Sequence, residues 1–173
     1  MAKIKARLVG KQVSTNAKQA MELFSTSRFG EKSGEKILYS LPETLYLLES
    51  GKLDLYDYRD KKMSKKKVEE RFEKMDKRFR IKYAVFYDLR KRGYLVKTAL
   101  KFGAEFRVYD KEKEIGKHHA RWILYPVSET EQITWQDFSA KNRVAHSTNK
   151  KLLIGVVDEE GDVSYYEVGW KKP

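Results

Sequence analysis

Residues 151–168, KLLIGVVDEEGDVSYYEV, decide the fold of the C-terminal part of this chain. The first segment, KLLIGVVD, is apolar nearly throughout, which is typical of a central strand covered on both faces of its sheet. The last segment, VSYYEV, carries the β-branched and aromatic residues that favour a half-buried strand. The link DEEGD is short enough for a tight turn. The stretch therefore predicts two neighbouring antiparallel strands.

The segments that precede this hairpin extend the same sheet. FRVYD and ARWILYPV have strand composition, and residues 94–100 form a further strand after Gly93. Helical spacing of apolar residues predicts helices over 81–92 and 133–141. We therefore expect a C-terminal module, residues 81–173, with a mixed, mainly antiparallel central sheet flanked by helices.

The first half of the chain predicts a mixed αβ module, residues 1–80. Alternating residues 3–9 and 53–58 favour strands, and apolar spacing near 64–78 favours a helix. Another helix is predicted to begin at Ser40, an N-cap with Pro42 in the first turn and Glu43 three residues on, and to end at Gly51. The fold class is therefore α/β, of the α+β kind, with two modules.

Composition limits the function classes. The net charge of +12, from 37 basic and 25 acidic side chains, favours polyanionic partners such as nucleic acid, although solubility alone could also explain it. The absence of cysteine excludes disulfides and thiolate metal sites. No apolar run approaches the roughly 20 residues that cross a bilayer, and residues 1–20 do not read as a secretory signal. We expect a cytoplasmic protein without a membrane partner.

Three residue types that can cleave RNA without a metal occur in order: Tyr109, His119 and Lys150. A phenol, an imidazole and an ammonium can between them accept a proton, donate a proton and stabilise charge on a phosphate. A phenol with its ordinary pKa of about 10 is a weak base at neutral pH unless a nearby cation stabilises the phenolate, and Lys150 is the candidate for that role.

The chain resembles the archaeal tRNA-splicing endonuclease (tRNA-intron endonuclease) family along nearly its whole length. The C-terminal motifs DLRKRGYLVKTALKFGAEFRVY, HHARWILYPV and RVAHSTNKKLLIGVVDEEGDVSYYEV match closely, and LPETLYLLESGKLDLYD matches the N-terminal module loosely. The resemblance implies a metal-independent RNA endonuclease without a cofactor. Its substrate would be precursor tRNA cut at bulge–helix–bulge sites, with 2′,3′-cyclic phosphate and 5′-hydroxyl ends.

The resemblance also implies a role for each matched residue. Tyr109 would be the general base, His119 the general acid and Lys150 the residue that stabilises the pentacovalent phosphorane. Arg143 would bind RNA by stacking on a bulged base, while no C-terminal arginine matches a second stacking position. The short chain implies a homotetramer, in which an acidic loop docks on a neighbouring subunit; the loop residues are Asp158, Glu159, Glu160 and Asp162.

Each assignment has a structural alternative. Tyr109 could be a strand-edge tyrosine with a wet hydroxyl, Arg143 could contact only phosphate, and the acidic loop could be a solvated hairpin turn. Adjacent residues of a strand face opposite ways, so only His119 and not His118, and only Lys150 and not Lys151, would enter the site. For His146 a structural role is favoured over a substrate contact.

Two other functions remain open at this point. A noncatalytic structural subunit of such an endonuclease would keep the fold and lose the three catalytic residues. A basic RNA-binding module would bind RNA and never cut it. Retention of Tyr109, His119 and Lys150 together argues against the noncatalytic subunit, and a cleavage assay would distinguish the RNA-binding module.

Overall fold

The computed structural model describes residues 2–99, 103–111 and 119–171. The chain divides into two compact units, Met1–Arg80 and Ile81–Pro173. Each unit contains one five-stranded sheet and its own helices. The α+β class predicted from the sequence is confirmed.

The N-terminal unit has the strand order β3-β4-β2-β1-β5. β1 pairs in parallel with β5 and antiparallel with β2, so the sheet is mixed. Alternate residues of β1, namely Ile4, Ala6 and Leu8, are buried. The elements are β1 (Ile4–Val9), β2 (Gln12–Thr15), α1 (Lys18–Ser27), β3 (Glu31–Ser33), β4 (Lys36–Tyr39), α2 (Leu41–Glu49), β5 (Leu53–Tyr56) and α3 (Lys65–Met75).

Helix α2 begins as its sequence predicts. The Ser40 hydroxyl accepts a hydrogen bond from the Glu43 backbone N–H, and the Glu43 carboxylate accepts one from the Ser40 N–H. This reciprocal pair is a capping box. The other Glu43 oxygen accepts from the Gly30 N–H at 2.9 Å, so a carboxylate only 4% exposed ties the helix to the preceding loop.

The C-terminal unit has the strand order β10-β9-β8-β7-β6. β8 and β9 are parallel and the other neighbours are antiparallel, as predicted for a mixed, mainly antiparallel sheet. The elements are α4 (Phe79–Lys91), β6 (Leu95–Thr98), β7 (Phe106–Tyr109), β8 (Trp122–Ser128), α5 (Trp135–Ser147), β9 (Lys151–Val157) and β10 (Val163–Val168).

The two faces of this sheet pack against different helices. On one face Val85 of α4 lies so close to the β9 backbone that a Cβ at Gly155 would be 3.1 Å from its methyl carbon. On the other face Ala145 of α5 belongs to a core cluster with Ile123 and Leu152. Because strand residues alternate between faces, this core fixes which side chains of β7, β8 and β9 lie on the α5 side.

Several element boundaries differ from the sequence predictions. Helix α5 was predicted over 133–141 but runs from Trp135 to Ser147, so the RVAHS motif is helical. The short strands β2, β3 and β4 were not predicted from the sequence. Within the described residues, no helix is both long and apolar enough to cross a membrane.

Candidate active site

The three predicted catalytic residues lie at one end of the three central strands of the C-terminal sheet. Tyr109 is the last residue of β7, His119 precedes β8, and Lys150 immediately precedes β9. β7 is antiparallel to β8 and β8 is parallel to β9, so the end of β7 lies beside the starts of the other two strands. Arg121 joins them, because its N–H donates to the Val108 carbonyl at 2.9 Å and its carbonyl accepts from the Lys151 N–H at 3.0 Å.

Tyr109 lies on the face of the sheet that α5 covers. Arg107 pairs with Ile123, which belongs to the core cluster on that face, and Tyr109 is two residues further along β7. Its side chain is half-buried. The strand therefore directs the phenol to the side of the sheet on which α5 ends.

His119 and Lys150 line the same cavity, which has a volume of about 550 Å³. Asp110, the residue after Tyr109, is part of the wall as well. His119 is exposed and Lys150 is half-buried. The complete lining is Asp110, His119, Ala120, Arg121, His146, Asn149, Lys150 and Lys151. The arrangement offers an imidazole and an ammonium to one anionic group.

The end of α5 fixes the backbone of Lys150. Asn149 has φ 56°, its N–H donates to the His146 carbonyl at 3.0 Å, and the Lys150 N–H donates to the Ala145 carbonyl at 2.9 Å. These two bonds form a Schellman motif. The Lys150 ammonium also donates to the Thr148 carbonyl at 2.8 Å, which orients it beside the cavity.

Lys151 alternates with Leu152 of the α5-side core and so starts on the other face of the sheet, yet it also lines the first cavity, which the sequence had reserved for Lys150. Its ammonium pairs with the Glu167 carboxylate, which also accepts from the Trp122 indole N–H at 2.7 Å. These hydrogen bonds hold the pKa of Glu167 below its ordinary value. The bond from Lys151 has the larger effect and the bond from Trp122 the next largest. A further ion pair joins Arg121 to Asp110 at 3.3 Å. The two adjacent lysines thus have different environments.

Arg143 lines a second cavity, of about 510 Å³, which shares His146 with the first. Trp170 lies across this second cavity, 56% exposed, with its ring centroid 4.6 Å from that of His146. Arg143 itself is exposed on α5. A cation and a flat aromatic surface therefore border one opening next to His119 and Lys150.

The acidic loop lies at the opposite end of β9 from Lys150. The Asp162 N–H donates to an Asp158 carboxylate oxygen at 2.8 Å, and the Glu159 N–H donates to Glu129 at 2.9 Å. Both bonds hold the turn between β9 and β10, while the Glu159, Glu160 and Asp162 residues are exposed. Seven strand residues at about 3.3 Å each separate this turn from Lys150.

Sequence reasoning missed part of this site. Asp110, Arg121, Asn149 and Trp170 border the two cavities, and none was predicted. The prediction that His119 lies on a strand was wrong, since it lies in the connection before β8. His118, the predicted noncatalytic neighbour, lies outside the described residues. His146 contacts Trp170 through its ring and caps α5 through its carbonyl.

Carboxylates and imidazoles do not gather into a metal site in the part of the chain that the structure describes. No group of three or more His, Cys, Asp or Glu side chains there is placed to hold a metal ion. The charged groups around the first cavity instead form ion pairs. Arg121 pairs with Asp110, and Lys151 pairs with Glu167.

Comparison with known protein families gives two matches that together cover most of the chain. The model for the tRNA intron endonuclease catalytic C-terminal domain matches residues 79–165. The model for the tRNA intron endonuclease N-terminal domain matches residues 4–69. Both candidate cavities are therefore lined by residues of the region that matches the catalytic domain, apart from Trp170.

Several tRNA-splicing endonucleases are similar to this chain over most of their length. The chain is 47% identical over 139 residues to the tRNA-splicing endonuclease of Nanoarchaeum equitans, covering 77% of this chain and 88% of that protein. It is 40% identical over 159 residues to the tRNA-splicing endonuclease of Pyrococcus horikoshii, covering 92% and 91%. The tRNA-splicing endonuclease of Methanothermobacter thermautotrophicus is 40% identical over 155 residues, covering 89% of each chain.

Proposed function

The chain belongs to the archaeal tRNA-splicing endonuclease family and excises introns from tRNA, and we propose that it cuts precursor tRNA at bulge–helix–bulge sites with Tyr109, His119 and Lys150 as its catalytic residues. Cleavage would need neither a metal nor a cofactor. The products would carry 2′,3′-cyclic phosphate and 5′-hydroxyl ends.

The proposed reaction is an in-line transfer within the RNA. The Tyr109 phenolate takes the proton of the ribose 2′-hydroxyl, whose oxygen attacks the adjacent phosphorus. The bond from phosphorus to the 5′-oxygen breaks, and the His119 imidazolium gives that oxygen its proton. The Lys150 ammonium stabilises the negative charge that accumulates on the phosphorane oxygens. Atoms and charge balance without water or another reactant.

One observation carries this proposal. His119 and Lys150 line a single cavity at the end of the sheet where β7 ends in Tyr109. Two further features favour the same assignment. The sheet register directs Tyr109 toward the α5 side, and the Schellman motif at the end of α5 holds Lys150 on that side. A noncatalytic subunit would have no need to keep all three groups at this end of the sheet. This is the reason for preferring an active enzyme over a structural subunit.

Arg143 and Trp170 are proposed to hold the bulged base. The guanidinium and the indole border one cavity, and both are exposed planar groups that can stack on a base turned out of a helix. Trp170 would take the second stacking position, for which the sequence offers no arginine. His146 supports it, since the two rings are in contact.

We propose a homotetramer as the active assembly. Both family domains match within this one chain, and the chain covers about nine-tenths of relatives such as those of Pyrococcus horikoshii and Methanothermobacter thermautotrophicus, so one chain type carries both domains. The acidic loop of residues 158–162 extends from the sheet end opposite to Lys150, where it could reach a basic surface of another subunit.

The cysteine-free composition agrees with the reducing cytoplasm as the place of action.

The test is cleavage by the purified chain alone. An intron-containing precursor and a minimal bulge–helix–bulge RNA are incubated with it in excess chelator, and the product ends are identified. We expect cleavage of both, with cyclic phosphate ends. Loss of cleavage in chelator with recovery in magnesium would contradict the metal-free mechanism, whereas binding without cleavage in either condition would favour the noncatalytic subunit.

A further inference from the structure

The N-terminal unit carries most of the positive charge, although none of the three catalytic residues lies in it. Residues 1–80 contain 20 basic and 12 acidic side chains, a net charge of +8 out of +12 for the whole chain. Charge of this sign and size favours a polyanion, yet the proposed chemistry gives this unit no role. The surface of this unit is therefore a candidate for contact with RNA.

The loop of residues 57–62, between β5 and α3, is a turn held by several hydrogen bonds. One Asp57 carboxylate oxygen accepts hydrogen bonds from the Arg59 and Lys61 backbone N–H groups, each at 2.9 Å. The Asp57 N–H donates to the Lys61 carbonyl at 3.0 Å, and Tyr56 forms a β-bridge with Lys62. The Asp57 carboxylate therefore stabilises the loop by accepting hydrogen bonds from its backbone.

The other carboxylate of the loop is held from outside. Asp60 has φ 61°, a left-handed conformation, and its carboxylate pairs with Lys5 at 3.5 Å and with Arg7 at 3.2 Å. Both of these cations lie on β1, the strand next to β5. The two acidic residues of the loop are thus engaged in forming it and anchoring it to the sheet.

The side chains that the loop presents are basic and aromatic. Tyr58 is 69% exposed, and the Arg59 guanidinium lies over its ring at 5.1 Å from the centroid. Lys61 is exposed as well, and α3 continues with the exposed Lys66 and Lys67 in its first turn. An exposed ring beside a guanidinium, surrounded by lysines, combines a stacking surface with phosphate-binding charge.

We infer that the loop of residues 57–62, together with Lys66 and Lys67, is a second RNA-binding surface. It would bind the phosphate backbone of the precursor through Arg59 and the lysines, and a nucleotide through the Tyr58 ring. This inference rests on the proposed function for the identity of the RNA. It assigns the N-terminal unit to substrate affinity and not to the chemical step, because the catalytic residues belong to the other unit.

The experiment measures binding without cleavage. The RNA is a precursor tRNA with 2′-deoxyribose at both cleavage nucleotides, which removes the attacking hydroxyl. The variant Arg59→Ala/Lys61→Ala keeps the backbone donors that Asp57 needs. Its matched control, Lys32→Ala/Lys36→Ala, removes the same charge from β3 and β4, whereas the loop follows β5 at the other edge of the same sheet.

We expect the loop variant to weaken binding at least about fivefold and to lower the slope of log Kd against log salt by about 1 to 2, since each phosphate contact contributes about 0.9. The control should bind within about twofold of the parent. Tyr58→Ala should weaken binding and Tyr58→Phe should not, because stacking needs only the ring. Single-turnover cleavage of the natural RNA at saturating enzyme should be unchanged in all variants.

Three outcomes would overturn the inference. Equal losses in the loop variant and the control would mean that net charge alone matters. Parental affinity in the loop variant would remove the surface from RNA binding. A changed mass in light scattering without RNA would identify the loop as a contact between protein subunits. Because binding is measured apart from cleavage, an inactive parent would contradict the proposed function while the affinities still decide this inference.

Discussion

Lys150 is anchored to Ala145 by a backbone hydrogen bond of 2.9 Å, so the position of a proposed catalytic residue is set by the end of helix α5. The bond forms because Asn149 adopts the left-handed conformation, φ 56°. Asparagine tolerates this region and glycine prefers it, whereas a β-branched residue does not. The geometry of the candidate active site thus depends on the residue that precedes the proposed catalytic lysine.

We expect Asn149→Gly to retain near-parental cleavage and Asn149→Val to lower the single-turnover rate by about tenfold to a hundredfold, the range in which small misplacements act. Glycine keeps the turn, and valine disfavours it by roughly 1–2 kcal/mol or more. Thermal unfolding of both variants shows whether the loss exceeds that of global stability. Similar losses in both variants would instead assign a direct role to the Asn149 side chain, which lines the cavity.

The two adjacent histidines should differ sharply in function. His119 lines the cavity with Lys150, and a general acid contributes about a hundredfold or more to a cleavage rate. His119→Ala should therefore lose at least that factor in single-turnover rate, while His118→Ala should remain close to the parent. A larger loss in His118→Ala would move the general acid to that residue.

The strands of this protein could be predicted from sequence because their patterns are local. KLLIGVVD is apolar along its length and became β9, an inner strand with β8 and β10 on its two sides. The start of α2 could be predicted for the same reason, since Ser40 and Glu43 lie within one turn. In both cases the residues that determine the structure are close together in the sequence.

The end of α5 and the second cavity depend on longer-range contacts. Residues 142–147 have few apolar side chains, and Ala145 is the buried residue that holds this part of the helix to the sheet. Local hydrophobic spacing therefore predicts a helix that ends too early. Trp170 borders the cavity with Arg143 because β10 returns the chain to α5, and nothing in GWKKP indicates that contact.

Glu167 should make stability depend on acid pH. The bonds from Lys151 and Trp122 lower the pKa of Glu167, so its stabilisation is fully present above the ordinary glutamate pKa and is lost as the pH falls from that value through the lowered pKa. Urea unfolding of the parent and of Glu167→Gln should differ most at neutral pH, and the difference should shrink in acid. A difference independent of pH would mean that the carboxylate charge is unimportant.

The acidic loop is expected to control assembly. If the loop docks on a basic surface of another subunit, replacing Asp158, Glu159 and Glu160 by Asn, Gln and Gln should convert tetramers into dimers and lower activity. High salt should have part of the same effect on the parent, because it screens exposed charges. Light scattering gives the mass. An unchanged mass at every salt concentration would leave the loop as a solvated turn.

Arg143 tests whether the second cavity binds a base or only a phosphate. Arg143→Lys keeps the charge and loses the planar guanidinium, so it should impair cleavage strongly if Arg143 stacks on a bulged base. Trp170→Ala should have a similar effect and Trp170→Phe a smaller one, because the phenyl ring still stacks.

Affinity for a plain RNA duplex is the matching control. It should change little in these variants, since many basic side chains share the sequence-independent electrostatic attraction. Cleavage by Arg143→Lys within about twofold of the parent would show that Arg143 contributes charge alone. A parental rate for Trp170→Ala as well would exclude the cavity of Arg143 and Trp170 as the site of the bulged base, and the stacking groups would then have to lie elsewhere on the protein.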